Sequence, residues 1–94
     1  MKFSIVIPTY EYNGLAVNLL DKLLESINQQ TFNDYEVIIV DHSLNDVIEK
    51  YSKSYQNLEI KYIKNDFGRG NSSINMNVGI KNALGEFIKI MHMD

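Results

Sequence analysis

Apolar positions along the chain change period several times, and each change marks an element. Phe3 to Ile7 is a short β-branched run that stops at Pro8, the signature of a buried strand ending at a loop. From Leu15 to Ile27 the positions Leu15, Leu19, Leu20, Leu23, Leu24 and Ile27 recur at spacings of three and four, which predicts a helix with one apolar face and Asn13 as its cap. Tyr35 to Val40 holds Val37-Ile38-Ile39-Val40, too short for a helix and apolar on both faces, as a central parallel strand is. Val47, Ile48, Tyr51 and Tyr55 predict a second helix, and Leu58, Ile60 and Tyr62 alternate with their neighbours as a third strand. The turn-rich stretch Asn65 to Asn71, with Gly68 and Gly70, precedes a helical stripe of Met76, Ile80, Ala83 and Leu84. Gly85 is placed as the glycine that ends this helix, and Phe87, Ile88, Ile90 and Met91 form a fourth strand.

Four strands separated by three helices predict an α/β fold, β-α-β-α-β-α-β, with a parallel sheet between helical layers in a three-layer, Rossmann-like arrangement, because parallel neighbours need crossover connections. Right-handed crossovers bring every strand's C-terminal end to one edge, which is where ligands of open α/β sheets bind. The residues that follow the strands are polar: Thr9, Tyr10 and Glu11; Asp41, His42 and Ser43; Asn65, Asp66, Arg69 and Asn71; His92 and Asp94. Both histidines and the single arginine of the chain fall in these loops.

The 94 residues suit one domain with one modest core, and 45% apolar with 22% charged residues is an ordinary globular balance. A net charge of -3 supplies no electrostatic footprint for nucleic acid, so no nucleic-acid partner is expected. The absence of cysteine removes disulfides, thiolate metal sites and thiol nucleophiles. The N-terminal apolar run, Ile5-Val6-Ile7, is far short of a signal-peptide core or membrane span, and a cytoplasmic location is the expectation.

An aromatic, a cation and a carboxylate at the strand ends suit a nucleoside diphosphate with a divalent metal. Tyr10 can stack on a base, Arg69 can pair phosphate oxygens in a fork, and Asp94 can give Mg²⁺ or Mn²⁺ a hard oxygen ligand. Each residue has a structural alternative. Tyr10 can pack on Tyr12 or the first helix, Arg69 can be a solvated turn residue, and His42 and His92 can be structural histidines. Asp41 can cap the turn it begins, and Asp94 can be a terminal residue without a role. A dinucleotide site is disfavoured, because Pro8-Thr9-Tyr10-Glu11 stands where a G-x-G-x-x-G would follow the first strand, and no P-loop lysine motif is present.

In order and spacing these residues resemble the inverting family 2 glycosyltransferases of the GT-A fold across nearly the whole chain. Ser4-Ile5-Val6-Ile7-Pro8-Thr9-Tyr10-Glu11 is similar to that family's opening strand and its Pro-Thr-Tyr-Asn/Glu turn. Glu36 to Asp41, with Asp46 beyond, is similar to its second strand and acidic loop. Asn77-Val78-Gly79-Ile80 with Ala83 to Ile88 is similar to the stretch leading into its metal-binding Asp-x-Asp strand.

The resemblance implies a nucleotide site of Pro8, Thr9, Tyr10, Glu11, Asp41, His42, Arg69 and His92, with Tyr10 on the base and Asp41 and its neighbour reading base and ribose. Asp94 matches the second aspartate of Asp-x-Asp and implies a Mn²⁺ or Mg²⁺ cofactor. His42 and His92 each replace an aspartate of the pattern, and Met76 stands where arginine is common, which leaves Arg69 for the diphosphate. The implied function is transfer of a sugar from a nucleotide-sugar donor, a UDP-sugar foremost, to a glycan, lipid-linked or small-molecule acceptor hydroxyl with inversion. Residues 1–94 would then be a partial GT-A domain, truncated at the metal motif, with the catalytic base expected beyond Asp94. The parent enzyme would be cytoplasmic or peripheral to the membrane. Such a part is expected to be inactive alone and to self-associate through exposed apolar surface and an unpaired strand edge. A noncatalytic α/β binding or assembly module is the alternative from another class.

Overall fold

A computed structural model of the protein describes residues 2–30, 34–67 and 72–93. The elements run β1 (Phe3–Thr9), α1 (Ala16–Asn28), β2 (Tyr35–Asp41), α2 (Val47–Ser54), β3 (Ile60–Lys64), α3 (Ser72–Lys81) and β4 (Phe87–Ile90). The four strands form one parallel sheet in the order β3-β2-β1-β4. From β1 the chain steps outward to β2 and β3, then crosses back to place β4 on the other side of β1. The order therefore reverses between β1 and β4, which opens a crevice at their C-terminal ends.

Side-chain alternation along the strands divides the core. Ile5, Ile7, Val37 and Ile39 face α1 and α2, where Leu20, Leu24, Ile27 and Ile48 are buried against them. Val6, Ile38 and Val40 face α3 and meet Val78, Ala83 and Ile90. Burying a Val, Leu or Ile side chain contributes about 1.5–3 kcal/mol, so the two-faced apolar runs of β1 and β2 make these the central strands.

Strand β1 continues through Pro8 to Thr9, two residues beyond the end expected from sequence. Proline lacks an N–H, but the backbone of even-numbered β1 residues faces β4: Met91 N donates to the Val6 carbonyl at 3.0 Å. Pairing with β4 ends at Val6, while Thr9 still accepts from His42 N at 3.0 Å on the β2 side. Pro8 thus occupies a local edge, where no ladder donor is required.

Two end signals also resolve differently. Asn13 does not cap α1; with φ of 54° it pairs with Gly14, φ 74°, in a left-handed turn, and the Glu11 carboxylate accepts from Gly14 N at 3.0 Å and Ala16 N at 3.1 Å. A carboxylate among the free amides of a helix start is favourable for both its hydrogen bonds and the helix dipole. Gly85 does not end α3, which stops at Lys81. It is needed where the chain enters β4, since a Cβ there would lie 2.6 Å from the Phe3 carbonyl carbon and 2.6 Å from Ser4 N.

The apolar stripe expected on α3 is only partly the packed face. Ala83, just after the helix, touches the core, but Ile80 and Leu84 are exposed, and Asn75, Val78 and Gly79 face the sheet. A Cβ on Gly79 would sit 2.4 Å from Val6 Cγ1, so close approach of helix and sheet dictates which side of α3 turns inward.

A polar clasp at the opposite, N-terminal end of the sheet fixes the approach to β4. Ser4 Oγ donates to Glu36 Oε2 at 2.5 Å and accepts from Gly85 N at 2.8 Å, while Leu84 N donates to the same Glu36 oxygen at 2.6 Å. Burial pushes the Glu36 carboxyl up, but the Ser4 hydroxyl, the Leu84 amide, Lys61 and the Gly85 amide together hold it below the ordinary carboxylate value.

Gly85→Ala is expected to cost about 1–3 kcal/mol in urea unfolding, because the new methyl meets backbone and no rotamer change relieves it. The lowered Glu36 pKa contributes stability that is complete above its unfolded value of about 4.3 and is lost as pH falls through the folded value. Stability measured from pH 6 downward is therefore expected to fall less steeply in Glu36→Gln than in the wild type.

Candidate functional site

A cleft of about 390 Å³ lies at the C-terminal ends of β1 and β4, at the reversal of strand order. Pro8, Thr9, Tyr10 and Tyr12 contribute one wall from β1 and the loop after it. Leu15, Ala16 and Leu19 supply an apolar wall from the start of α1, and His92 and Met93 close it from beyond β4. His42 from the end of β2 and Asn75 from α3 complete the lining, and both are almost fully buried. The cleft combines an apolar side with a few fixed polar groups, as small-molecule sites do.

Of the residues proposed from sequence, Pro8, Thr9, Tyr10, His42 and His92 line this one space. Tyr10 is 41% exposed and His92 is exposed, so both are reachable by a ligand. Asp41 and Glu11 stand behind the lining. The Asp41 carboxylate is wholly buried: Oδ1 accepts from Thr9 Oγ1 at 3.1 Å, Ser43 N at 3.0 Å and Ser43 Oγ at 2.6 Å, and Oδ2 accepts from Tyr62 OH at 2.6 Å. The Tyr62 phenol is pushed up strongly, first by burial and then by its hydrogen bond to Asp41 and that group's charge, which keeps it a donor. Ser43 Oγ also accepts from Glu11 N at 2.8 Å, and Glu11 in turn caps α1. One buried carboxylate thus fixes the two loops that form the cleft.

Beneath the cleft runs a chain of amides. Asn75 Nδ2 donates to the Val40 carbonyl at 2.8 Å, and Asn65 Nδ2 contacts Asn75 Oδ1 at 3.4 Å and His42 Nε2 at 2.9 Å. Sequence reasoning placed Asn65 among the strand-end polar residues but missed Asn75, along with the lining residues Tyr12, Leu15, Ala16, Leu19 and Met93. The available signal for Asn75 was its i, i+4 spacing from Gly79, a polar and a small residue sharing the face that packs closely on the sheet.

Arg69 and Asp94 lie outside the described residues, as do Gly68, Gly70 and Asn71. Among the described residues no group of three His, Asp or Glu side chains is placed to hold a metal ion. His92 is the cleft's exposed imidazole, and by itself it does not make a site for Mg²⁺ or Mn²⁺, which favour several oxygen ligands. No helix among the described residues is long and apolar enough to cross a membrane.

Comparison with known proteins agrees with this architecture. The family model described as glycosyl transferase family 2 matches residues 4–94. A poly(ribitol-phosphate) beta-glucosyltransferase of Bacillus spizizenii is 35% identical over 98 residues, covering 100% of this chain and 15% of that protein. The GalNAc(5)-diNAcBac-PP-undecaprenol beta-1,3-glucosyltransferase of Campylobacter jejuni is 30% identical, over 99% of this chain and 29% of its own length. Among solved structures, S. aureus TarS 1-349 in complex with UDP-GlcNAc superposes with a TM-score of 0.82 at 30% identity, covering 100% of this chain and 27% of that one. The same protein in complex with UDP gives 0.78. A mannosyltransferase from Pyrobaculum calidifontis, in complex with GDP-Man and Mn²⁺, shares the fold at a TM-score of 0.77 and 21% identity. The chain thus spans less than a third of each of these relatives, and with its parallel sheet, its Pro-Thr-Tyr-Glu turn and a family match over residues 4–94, it belongs to glycosyl transferase family 2.

Proposed function

We propose that this chain is the nucleotide-binding part of a glycosyltransferase and that the cleft between β1 and β4 receives the nucleotide of a UDP-sugar. The observation that carries the reading is the convergence of Tyr10, His42 and His92 on one cleft at the switch point of a parallel sheet. Tyr10 offers a face for the base, and the apolar wall of Leu15, Ala16 and Leu19 excludes water beside it. Further support comes from the TarS structures, whose complexes are with UDP-GlcNAc and UDP. In the whole enzyme an acceptor hydroxyl oxygen would bond to the anomeric carbon as that carbon's bond to the diphosphate breaks, with inversion. The acceptor would be a glycan, a lipid-linked molecule or a small molecule. On the sequence resemblance, Arg69 would pair the diphosphate and Asp94 would hold a Mn²⁺ or Mg²⁺ ion beside it.

Titration of the chain with UDP, GDP and dTDP is expected to show binding with UDP preferred. Stacking on an aromatic is worth about 1–3 kcal/mol, so Tyr10→Ala should weaken UDP binding about tenfold or more while leaving the unfolding midpoint nearly unchanged. Equal affinity in Tyr10→Ala and wild type would remove Tyr10 from the site. A separate titration addresses the metal: Mn²⁺ is expected to strengthen UDP binding, and Asp94→Asn to abolish that gain. UDP affinity indifferent to Mn²⁺ would leave the metal out of this reading.

A further inference from the structure

The amides under the cleft are oriented by backbone groups of fixed polarity. A carbonyl only accepts, so the Asn75 nitrogen must be the atom facing Val40 O at 2.8 Å, which turns Oδ1 toward Asn65. A backbone amide only donates, so the Asn65 oxygen must be the atom facing Phe67 N at 3.2 Å. The Asn65 nitrogen is then the atom 2.9 Å from His42 Nε2 and 3.4 Å from Asn75 Oδ1. Neither amide can be reversed without setting like groups against each other.

Two of the groups around His42 Nε2 make opposite demands on it. The Asn65 nitrogen at 2.9 Å requires an acceptor, and the Phe67 carbonyl at 3.1 Å requires a donor. Asn65 and His42 are both buried. An orphaned buried N–H is rarer and costlier than a carbonyl short of one partner, which favours Nε2 accepting from Asn65 and a proton on Nδ1.

We propose that Asn65 and Asn75 are positioning residues for the nucleotide site: anchored on Val40 and Phe67, they lock His42 in the Nδ1–H tautomer and in one ring orientation where it lines the cleft. This rests on the reading of the cleft as a nucleotide site. A ring held in one tautomer presents a fixed pattern of donor and acceptor, whereas a ring free to exchange tautomers must be ordered by each ligand that binds. Pre-organisation of this kind raises affinity without adding a contact to the ligand. Nothing in the apolar periodicity of α3 or in the strand-end loops assigns Asn65 or Asn75 this role.

The test pairs a spectroscopic readout with binding, on the 94-residue chain. Nitrogen-15 spectra of the histidine rings, recorded above the pH at which they protonate, are expected to show His42 with Nε2 unprotonated and Nδ1 protonated. Asn65→Asp keeps the shape but replaces the donor with an acceptor, so Nε2 should take up a proton and UDP affinity should fall tenfold or more. Asn75→Ala removes the anchor, so the ring should show a mixture of tautomers and a smaller loss of affinity. Thermal melting of each variant separates these effects from loss of the fold, and a variant that does not fold is replaced by Asn75→Ser, expected to behave like Asn75→Ala. A wild-type ring protonated on Nε2, or a ring protonated on Nε2 in Asn65→Asp with undiminished UDP affinity, would overturn the proposal. Failure of the wild-type chain to bind UDP while the tautomer is as expected would instead overturn the nucleotide reading, and the positioning role with it.

Discussion

The carboxylate of Asp41 is the constraint on which the candidate site depends. It sits at the last residue of β2, fully buried, and receives hydrogen bonds from β1 through Thr9, from β3 through Tyr62, and twice from Ser43 in its own loop. An isolated buried charge would be expelled or neutralised, yet four donors supply it with the bonds that water would give. Each such bond to a charged group is worth about 1.5–3 kcal/mol when intact, and each buried hydroxyl left without it would cost about 1–3 kcal/mol. The strand ends are therefore held by one group that tolerates no partial loss. Because Ser43 relays that anchorage to the Glu11 amide, the turn bearing Tyr10 is fixed from the centre of the sheet.

Sheet order adds the second constraint. Parallel pairing forces a crossover between successive strands, and the step from β3 to β4 carries the chain past β2 and β1 on the α3 face. The helix that makes this passage lies close enough to Val6 and Val40 that Gly79 has no room for a Cβ. The same closeness brings Asn75 within 2.8 Å of the Val40 carbonyl and places it beneath the cleft. Close packing and site construction are one event here.

The fold was legible because its signals are redundant along the chain. Val37 to Val40 is apolar on both faces, which only a central strand satisfies at that length, and the repeat from Leu15 to Ile27 fits only a helix. The errors fell where one residue type serves two purposes. Pro8 reads as a breaker unless it is known that β4 ends its pairing at Val6, and Gly85 reads as a helix terminus unless its contact with the β1 backbone is known. Both facts belong to residues about eighty positions apart in sequence, beyond any local pattern. The convergence of the candidate site was legible in outline, since strand order turns loop residues into neighbours: Thr9, Tyr10, His42 and His92 line one space. What the sequence left open was direction. Asp41 and Glu11 look like ligand groups in a list of polar strand ends, and only the structure shows that their oxygens face inward toward hydroxyls and amides.

That inward direction bears on the charge of the ligand. The chain is acidic, with a net charge of -3, and a nucleoside diphosphate is an anion that an acidic rim would repel. Yet the cleft's lining is made of Pro8, Thr9, two tyrosines, aliphatic side chains, Met93, Asn75 and two histidines, with no carboxylate and no lysine among the described residues. Among the described residues, the two acidic side chains adjacent to it in sequence, Glu11 and Asp41, have their charge dispersed over the amides of Gly14 and Ala16 and over three hydroxyls and an amide. Among the described residues, carboxylates thus build the walls of the site and none lines the space itself. A neutral, half-apolar cleft suits the planar, weakly hydrated base of a nucleotide far better than it suits a bare phosphate, because an anion leaving water needs compensating charge and a base needs only a surface and a few fixed polar groups. If the cleft receives a nucleotide as proposed, recognition by this lining would rest on the base and ribose, and the diphosphate's charge would be compensated from outside it.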